Sequence, residues 1–399
     1  MIKEIKISNF LSFKEETLSV NHAPIVLVGI NGSGKSNIFK ALRLLHEGVS
    51  GIGLKSFVFD VLGGLDNIRF KSAETVEKPV ILQFKFDGEI LKKYGYGFTC
   101  DVTYIIEMQK KPASSNFYVQ EQIFDEKGFS YLVFDRGSGH LKELIADETG
   151  LQHEKEVRYH DFVEPTELVL SKIFDTYRYD ALVTIRKAIA DMVVYDYFDV
   201  TPQSAMRKPM LPTSGKRLSA NGSNLTQILN TIKINYKQNY QTIVGKLNEV
   251  NPNYIGFDFN FIGGSIELML EEKNLCSSIH ASCISDGTLR YLCLLAIIFN
   301  PNRGRMICID EPETGLHPDM IAGIGRMIND ISTDSNIIIT TQSAYLLNLF
   351  EVENIRVLEK NEDKATIIFH YTTKDFEGWY DEFCPETMWR NGDLGGNRW

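Results

Sequence analysis

Three stretches hold residue types that could do chemistry together. The first is Gly29-Ile30-Asn31-Gly32-Ser33-Gly34-Lys35-Ser36, with the spacing GxxxxGK[ST]. Glycines let a backbone curl until successive N–H groups face one anion, and a helix N-terminus behind it adds partial positive charge. Gly29, Asn31, Gly32, Ser33, Gly34 and Asn37 would then cradle the phosphates of ATP. Lys35 would reach the β- and γ-phosphates, and the Ser36 hydroxyl would bind Mg2+. The second is Met306-Ile307-Cys308-Ile309-Asp310-Glu311-Pro312, an apolar run ending in two carboxylates. Asp310 suits Mg2+, and Glu311 suits the general base that polarises the attacking water. The third is Ile337-Ile338-Ile339-Thr340-Thr341-Gln342-Ser343. Gln342 can orient water and donate to phosphate but carries no charge, so slow hydrolysis and a switch-like role are expected. The plainer reading of Gln342 is a polar strand end.

A fourth stretch, Ser282 to Arg290, opens an apolar helix. Ser285 is a good N-cap; equally, Ser285, Gly287 and Thr288 could offer a hydroxyl and amides to a phosphate.

The surrounding pattern must hold these groups in place. Pro24 to Val28 is a continuous apolar run, as in a buried central strand, and Asn37 to His46 puts Ile38, Leu42 and Leu45 on one helix face. Residues 50–160 read as antiparallel strands and hairpins, with Gln83 an exposed strand residue in preference to a Mg2+-sensing glutamine. Residues 166–198 read as helix. Residues 201–222 read as a loop whose Arg207, Lys208, Lys216 and Arg217 are solvated, in preference to contacting nucleic acid or an effector. A helix is expected over 224–250 from a cap near Ser223. From 254 to 371 strands and helices alternate as in an α/β layer.

The motif order, phosphate loop, long insertion, Ser-Asp-Gly-Thr at 285–288, then Asp310-Glu311-Pro312-Glu313-Thr314-Gly315-Leu316-His317-Pro318, resembles the ABC-type ATPases of the SMC/RecF branch. It looks most like their compact AAA-family relatives in bacterial anti-phage systems. Ile7 to Phe13 resembles that branch's opening strands. The resemblance implies an α/β head of mixed sheet, flanking helices and an antiparallel lobe, divided as 1–160, a helical insertion or lid at 161–252, a second half-head at 253–371 and a tail at 372–399. It implies two heads meeting head to tail, Ser285 and the Gly287 amide of one closing on the γ-phosphate held by the other. It also implies a separate effector, such as a nuclease, with nucleic acid a further partner; a RecF-like DNA clamp is the alternative. His317 stands where transporter ATPases carry Asp, which speaks against transport, and its plain reading is a helix start. Long coiled-coil arms would need sustained heptads, and none runs between Ser36 and Ser285.

The chain has 399 residues, 43% hydrophobic and 24% charged, ample for a large core. Its net charge of −10 excludes a uniformly basic coat but leaves room for a local basic patch. The six cysteines form no CxxC pair and read as reduced core residues of a cytosolic protein. No leader precedes the first strand and no apolar run suits a membrane span. Trp379, Trp389 and Trp399 suggest that the tail docks on the body or a partner.

Overall fold

In the computed structural model, residues 1–20, 24–72, 77–146, 152–212, 215–376 and 384–395 are described. The chain opens with a hairpin, β1 (Ile2–Phe10) and β2 (Phe13–Ser19), then β3 (Ile25–Val28) and helix α1 (Lys35–Ser50). Strands β4 (Val80–Phe86), β5 (Val102–Lys110), β6 (Phe117–Asp125), β7 (Ser130–Asp135), β8 (Ser138–Ala146) and β9 (Gln152–Arg158) follow. They extend the first hairpin into an eight-stranded antiparallel sheet, ordered β2-β1-β4-β5-β6-β7-β8-β9. Strict alternation in β4, where Leu82, Phe84 and Phe86 are buried and Gln83 and Lys85 half-exposed, gives the sheet one core face and one polar face. Short helical turns at Leu54–Ser56 and Leu65–Ile68 interrupt the stretch expected to be hairpins alone.

After α2 (Asp180–Ala190) comes β10 (Met192–Tyr195), then α3 (Leu225–Asn235), α4 (Lys237–Val250) and the hairpin β11 (Tyr254–Ile262) and β12 (Ser265–Glu272) with β13 (Ile279–His280). Helix α5 (Asp286–Ile298), β14 (Met306–Ile309), α6 (Pro318–Ile331), β15 (Asn336–Thr341), β16 (Ile355–Lys360) and β17 (Thr366–His370) complete the head. The second sheet runs β10-β14-β15-β3-β16-β17, parallel except for β17. It is covered on both faces, so β3 and β14 are buried at every residue. Alternation still sorts them. Ile25, Leu27, Met306 and Cys308 enter the core shared with α1 and the antiparallel sheet. Val26, Val28, Ile307 and Ile309 enter the core shared with α5.

The stretch 166–198 is therefore not one helical run: it holds α2, and β10 joins the parallel sheet beside β14. Four residues are too short to betray a strand by period. The position before α3 is Asn224, beside Ser223 as expected, but its side chain caps nothing; its Oδ1 accepts from the Ser219 N–H at 2.8 Å. Cys293 and Cys308 are core residues as expected, but Cys276, Cys283 and Cys384 are exposed; all six are free thiols. Among the described residues no helix is long and apolar enough to cross a membrane. α1, with 16 residues, is nowhere near a coiled-coil arm.

A buried carboxylate fastens the antiparallel sheet to the segment leading into α2. Glu121 accepts from the Tyr104 hydroxyl (2.6 Å) and from the N–H groups of Val169 (2.7 Å) and Leu170 (3.2 Å). Burial raises its pKa from 4.5 to about 7. The native state then holds a proton that the unfolded chain releases near pH 4.5. Its contribution to stability is fully present below that pH and is lost as pH rises through about 7, by up to about 3 kcal/mol. Urea unfolding at pH 5 and pH 7.5 should show this fall, and Glu121→Gln should flatten it.

Candidate functional site

Two close approaches dictate glycines in the loop after β3. A Cβ on Gly29 would sit 2.5 Å from the Leu358 carbonyl oxygen. Gly34 has φ +110°, and a Cβ there would sit 2.5 Å from Thr366 Oγ1 and 2.6 Å from Ser12 Oγ. The loop is strapped from both ends of the chain. The Thr366 hydroxyl donates to the Ser33 carbonyl (2.7 Å) and lies 2.8 Å from Ser12 Oγ, to which Asn37 Nδ2 donates at 2.9 Å. Thr366 lies outside every motif and Ser12 within the opening Ile7–Phe13 stretch, and only the fold reveals that both brace the loop. Asn31 and Gly32 face solvent, and Ser33 is buried. Gly34→Ala should weaken nucleotide binding at least about 100-fold, since both the left-handed φ and the two contacts forbid a methyl. Titration with a fluorescent ATP analogue checks this, with circular dichroism unchanged.

The Lys35 ammonium folds over the loop, donating to the Gly29 (2.6 Å) and Ile30 (3.2 Å) carbonyls. Burial lowers its pKa, while Glu311, Asp310 and Glu313 act to retain the charge. In the first turn of α1 the Asn37 N–H donates to the Gly34 carbonyl at 3.0 Å, while the Lys35 and Ser36 N–H groups precede any intrahelical acceptor, so a phosphate would satisfy them.

The carboxylates stand at the carboxyl ends of the parallel strands. Register pairs Tyr195 with Ile309 and Ile309 with Ile339, so Asp196, Asp310 and Thr340 lie side by side one residue further on. Asp310 Oδ2 accepts from Ser36 Oγ at 3.0 Å, and Oδ1 accepts from Thr340 Oγ1. Burial, then the neighbouring Glu311 and Asp196, raise the Asp310 pKa against these two hydrogen bonds. Glu311 sits in the left-handed region, φ +44°, a conformation that a long side chain adopts only when its surroundings impose it. They do: its N–H donates to Thr340 Oγ1 (3.0 Å), and its carboxylate accepts from Gln342 Nε2. The residues expected to act as base and water-orienter are thus hydrogen-bonded to each other.

Glu313 holds the strand end that carries Gln342. Its Oε1 accepts from Thr341 Oγ1 (2.6 Å) and the Gln342 N–H (3.1 Å), which fixes the turn carrying Gln342. Its Oε2 is buried without a hydrogen-bond partner among the described residues, and burial raises its pKa. Asp196 follows β10, a strand that the sequence pattern does not reveal, and Arg43 of α1 pairs with it.

Ser36 and Asp310 fit Mg2+. A hydroxyl and a carboxylate already converge on one point, both hard oxygen donors, and Mg2+ commonly takes one or two protein ligands beside water and phosphate. Among the described residues no cluster of three or more His, Cys, Asp or Glu could hold a metal without such outside ligands.

Ser285 caps α5 at the surface. Its Oγ accepts from the Thr288 N–H at 3.2 Å. Thr288 is buried, with its hydroxyl 2.8 Å from Ser285 Oγ and 3.4 Å from the Tyr254 hydroxyl. Its side chain braces the helix start. A Cβ on Gly287 would lie 2.9 Å from the Gly315 carbonyl, so the turn after Asp310-Glu311 packs on this helix start. His317 is exposed and caps α6, its Nδ1 accepting from the Asp319 N–H at 3.4 Å. Gln83 lies on the polar face of the antiparallel sheet, level with Lys6 and Ile105.

The basic loop is not a solvated stretch throughout. Arg207 is buried and donates to the carbonyls of Val200 (2.9 Å), Ala281 (3.0 Å) and Ile284 (2.7 Å), and it pairs with Asp286. Its guanidinium therefore shapes the segment that presents Ser285. Arg217 donates to the Asn302 carbonyl (2.6 Å) and pairs with Asp191; only Lys208 and Lys216 of the four are exposed. In the tail, Trp389 is buried against the α5 core, and Trp379 and Trp399 lie outside the described residues.

A glycine loop feeding a helix, two acids at the end of a parallel strand two places along the same sheet and an antiparallel lobe form the arrangement of an ABC-type ATPase head. Comparison with known proteins agrees. Residues 1–182 match the family described as AAA ATPase domain, and residues 268–348 match the one described as AAA domain, putative AbiEii toxin, Type IV TA system. The SMC head bound to the C-terminal winged-helix domain of ScpA superposes with TM-score 0.53 at 13% identity, covering 94% of this chain and 99% of that one. The Pyrococcus furiosus SMC head bound to the C-terminal domain of ScpA gives 0.52 at 10% identity, covering 96% and 98%. The DNA replication and repair protein RecF of Rickettsia akari is 37% identical over 59 residues, 15% of this chain and 16% of that protein. RecF of Rickettsia canadensis is 43% identical over 42 residues, 10% and 12% of the two chains. The matched part is thus a small fraction of either RecF. In fold and motifs the chain is like the ATPase heads of SMC and RecF proteins, and its described residues hold no long coiled coil.

Proposed function

We propose that the chain binds ATP with Mg2+ and hydrolyses it slowly to ADP and phosphate, two heads closing on the nucleotide, as the regulatory sensor or scaffold of a cytoplasmic anti-phage complex whose effector is a separate protein. The observation that carries the ATPase reading is the convergence of Ser36, Asp310, Glu311 and Gln342 beside the glycine loop. Lys35 would leave the loop carbonyls for the β- and γ-phosphates. Mg2+, held by Ser36 and Asp310, would screen the phosphate charge. Glu311 would take the proton of a water that Gln342 orients. Ser285, exposed at the N-cap of α5, is free to meet the γ-phosphate held by a second copy.

The defence reading is supported by the AbiEii description of the family matched at residues 268–348. The partner reading is favoured by the SMC heads, which are described as bound to ScpA. A second reading, a DNA clamp, is favoured by the RecF matches. Affinity purification from the native host separates them. Recovery of a stoichiometric neighbour-encoded effector supports the defence complex. A lone dimer with nanomolar, salt-sensitive, ATP-dependent affinity for duplex DNA replaces that reading with the clamp.

A further inference from the structure

A second polar cavity lies at the opposite end of the parallel sheet. β10, β14 and β15 begin right after Asp191, Arg305 and Ser335, and these residues line a cavity of about 460 Å³ with Lys93, Arg217 and Arg303. The four-residue strand β14 separates it from Asp310, a distance of about 13 Å at 3.3 Å per residue.

Its cations are built in, not scattered. The turn Asn300-Pro301-Asn302-Arg303-Gly304-Arg305 is held by Asn300, whose Nδ2 donates to the Lys216 carbonyl (2.9 Å) and whose Oδ1 accepts from the Asn302 N–H (2.9 Å). A Cβ on Gly304 would collide with the Asp191 carbonyl, so glycine brings the arginines on either side against that residue. The Asp191 carboxylate is fully engaged, accepting from the Tyr94 hydroxyl (2.6 Å), the Arg305 N–H (3.0 Å) and Arg217. Asp334 faces Arg303 at 3.6 Å. Four cationic side chains thus meet two acidic ones, both already paired. Among the described residues neither the Lys93 ammonium nor the Arg305 guanidinium has a hydrogen-bond or ion-pair partner. This excess of positive charge stands out on a chain of net charge −10. It also reaches the buried amino terminus, whose pKa falls to about 5 through burial first, with Lys3, Lys93 and Arg305 adding to it.

We propose that this cavity is an anion site, separate from the ATP site, for a phosphate-bearing ligand that Arg305 and Lys93 grip while Arg217 and Arg303 line its walls. Arginine forks match phosphate oxygens in pairs, and a cluster this tight suits charge concentrated on adjacent phosphates rather than carboxylates spaced along a peptide. The ligand is either a free phosphorylated molecule or the backbone of a nucleic acid; both present the same chemistry.

The test uses the full chain carrying Lys35→Ala, which silences the glycine loop, so its result is independent of whether that loop serves ATP. Inorganic tripolyphosphate is titrated calorimetrically without Mg2+. Saturable binding is expected, weakened at least about tenfold by Lys93→Ala with Arg305→Ala and less by Arg305→Lys. The thermal transition of each variant confirms that the fold is intact. Displacement of tripolyphosphate by a 20-base-pair duplex assigns the site to a nucleic-acid backbone, and failure to displace assigns it to a free ligand. No saturable binding, equal binding by the double variant, or equal displacement by polyglutamate overturns the proposal.

Discussion

Glu311→Gln should bind ATP as tightly as the natural chain and hydrolyse it about 10²- to 10⁴-fold more slowly, the range that a positioned general base contributes. The amide keeps the length of the side chain and an oxygen that can still accept from Gln342 Nε2. The Thr340 bond to the backbone of residue 311 is untouched. Only basicity is lost, so the effect should fall on turnover and spare affinity. ATP-bound pairs of heads should therefore accumulate. Phosphate release measures the first effect, and size-exclusion chromatography with ATP the second. Turnover within about threefold of the natural chain would remove Glu311 from the role of base. A variant that stays monomeric with ATP would sink the shared-nucleotide arrangement while leaving the base intact.

Arg207→Ala should abolish ATP-dependent pairing and leave nucleotide binding by the single head near normal. One buried guanidinium holds carbonyls at Val200, Ala281, Ser282 and Ile284 and pairs with Asp286, directly beside the Ser285 cap. Hydrogen bonds to a charged group contribute roughly 1.5–3 kcal/mol each and are not additive, so truncation should cost stability on the order of 2–4 kcal/mol overall. Asp286 is largely exposed, and its ion pair is left out of that figure. The functional loss is expected to exceed what destabilisation explains. Arg207→Lys carries a single ammonium, with too few directed donors for the set of carbonyls, and should rescue folding further than it rescues pairing. Equal rescue of both would mean that Arg207 serves folding alone. ATP-analogue affinity and chromatographic pairing, measured on the same samples, make the distinction.

The chemistry of the first three motifs was legible because it is local. A glycine loop, a lysine at the head of a helix and acids at the end of an apolar strand are each set by neighbours in the chain, and their geometry follows from backbone rules. The alternating period of β4 and the amphipathic face of α1 were legible for the same reason. The stretch around β10 was misread because four residues carry no usable period, and Asp196 was lost with it.

The amino-acid sequence by itself marked out the candidate residues for a phosphate, a cation and a water, and placed them on an α/β head. Tertiary structure alone decided which side chains hold them there: Ser12 and Thr366 on the loop, Glu313 under Gln342, Arg207 under Ser285, Arg43 on Asp196. It also turned Thr288 inward and gathered basic residues from three distant segments around one cavity. The reason is physical. Each of these contacts joins residues far apart in the chain, and only the packing of two sheets across a shared core brings their hydrogen-bonding groups within 3 Å or so of one another.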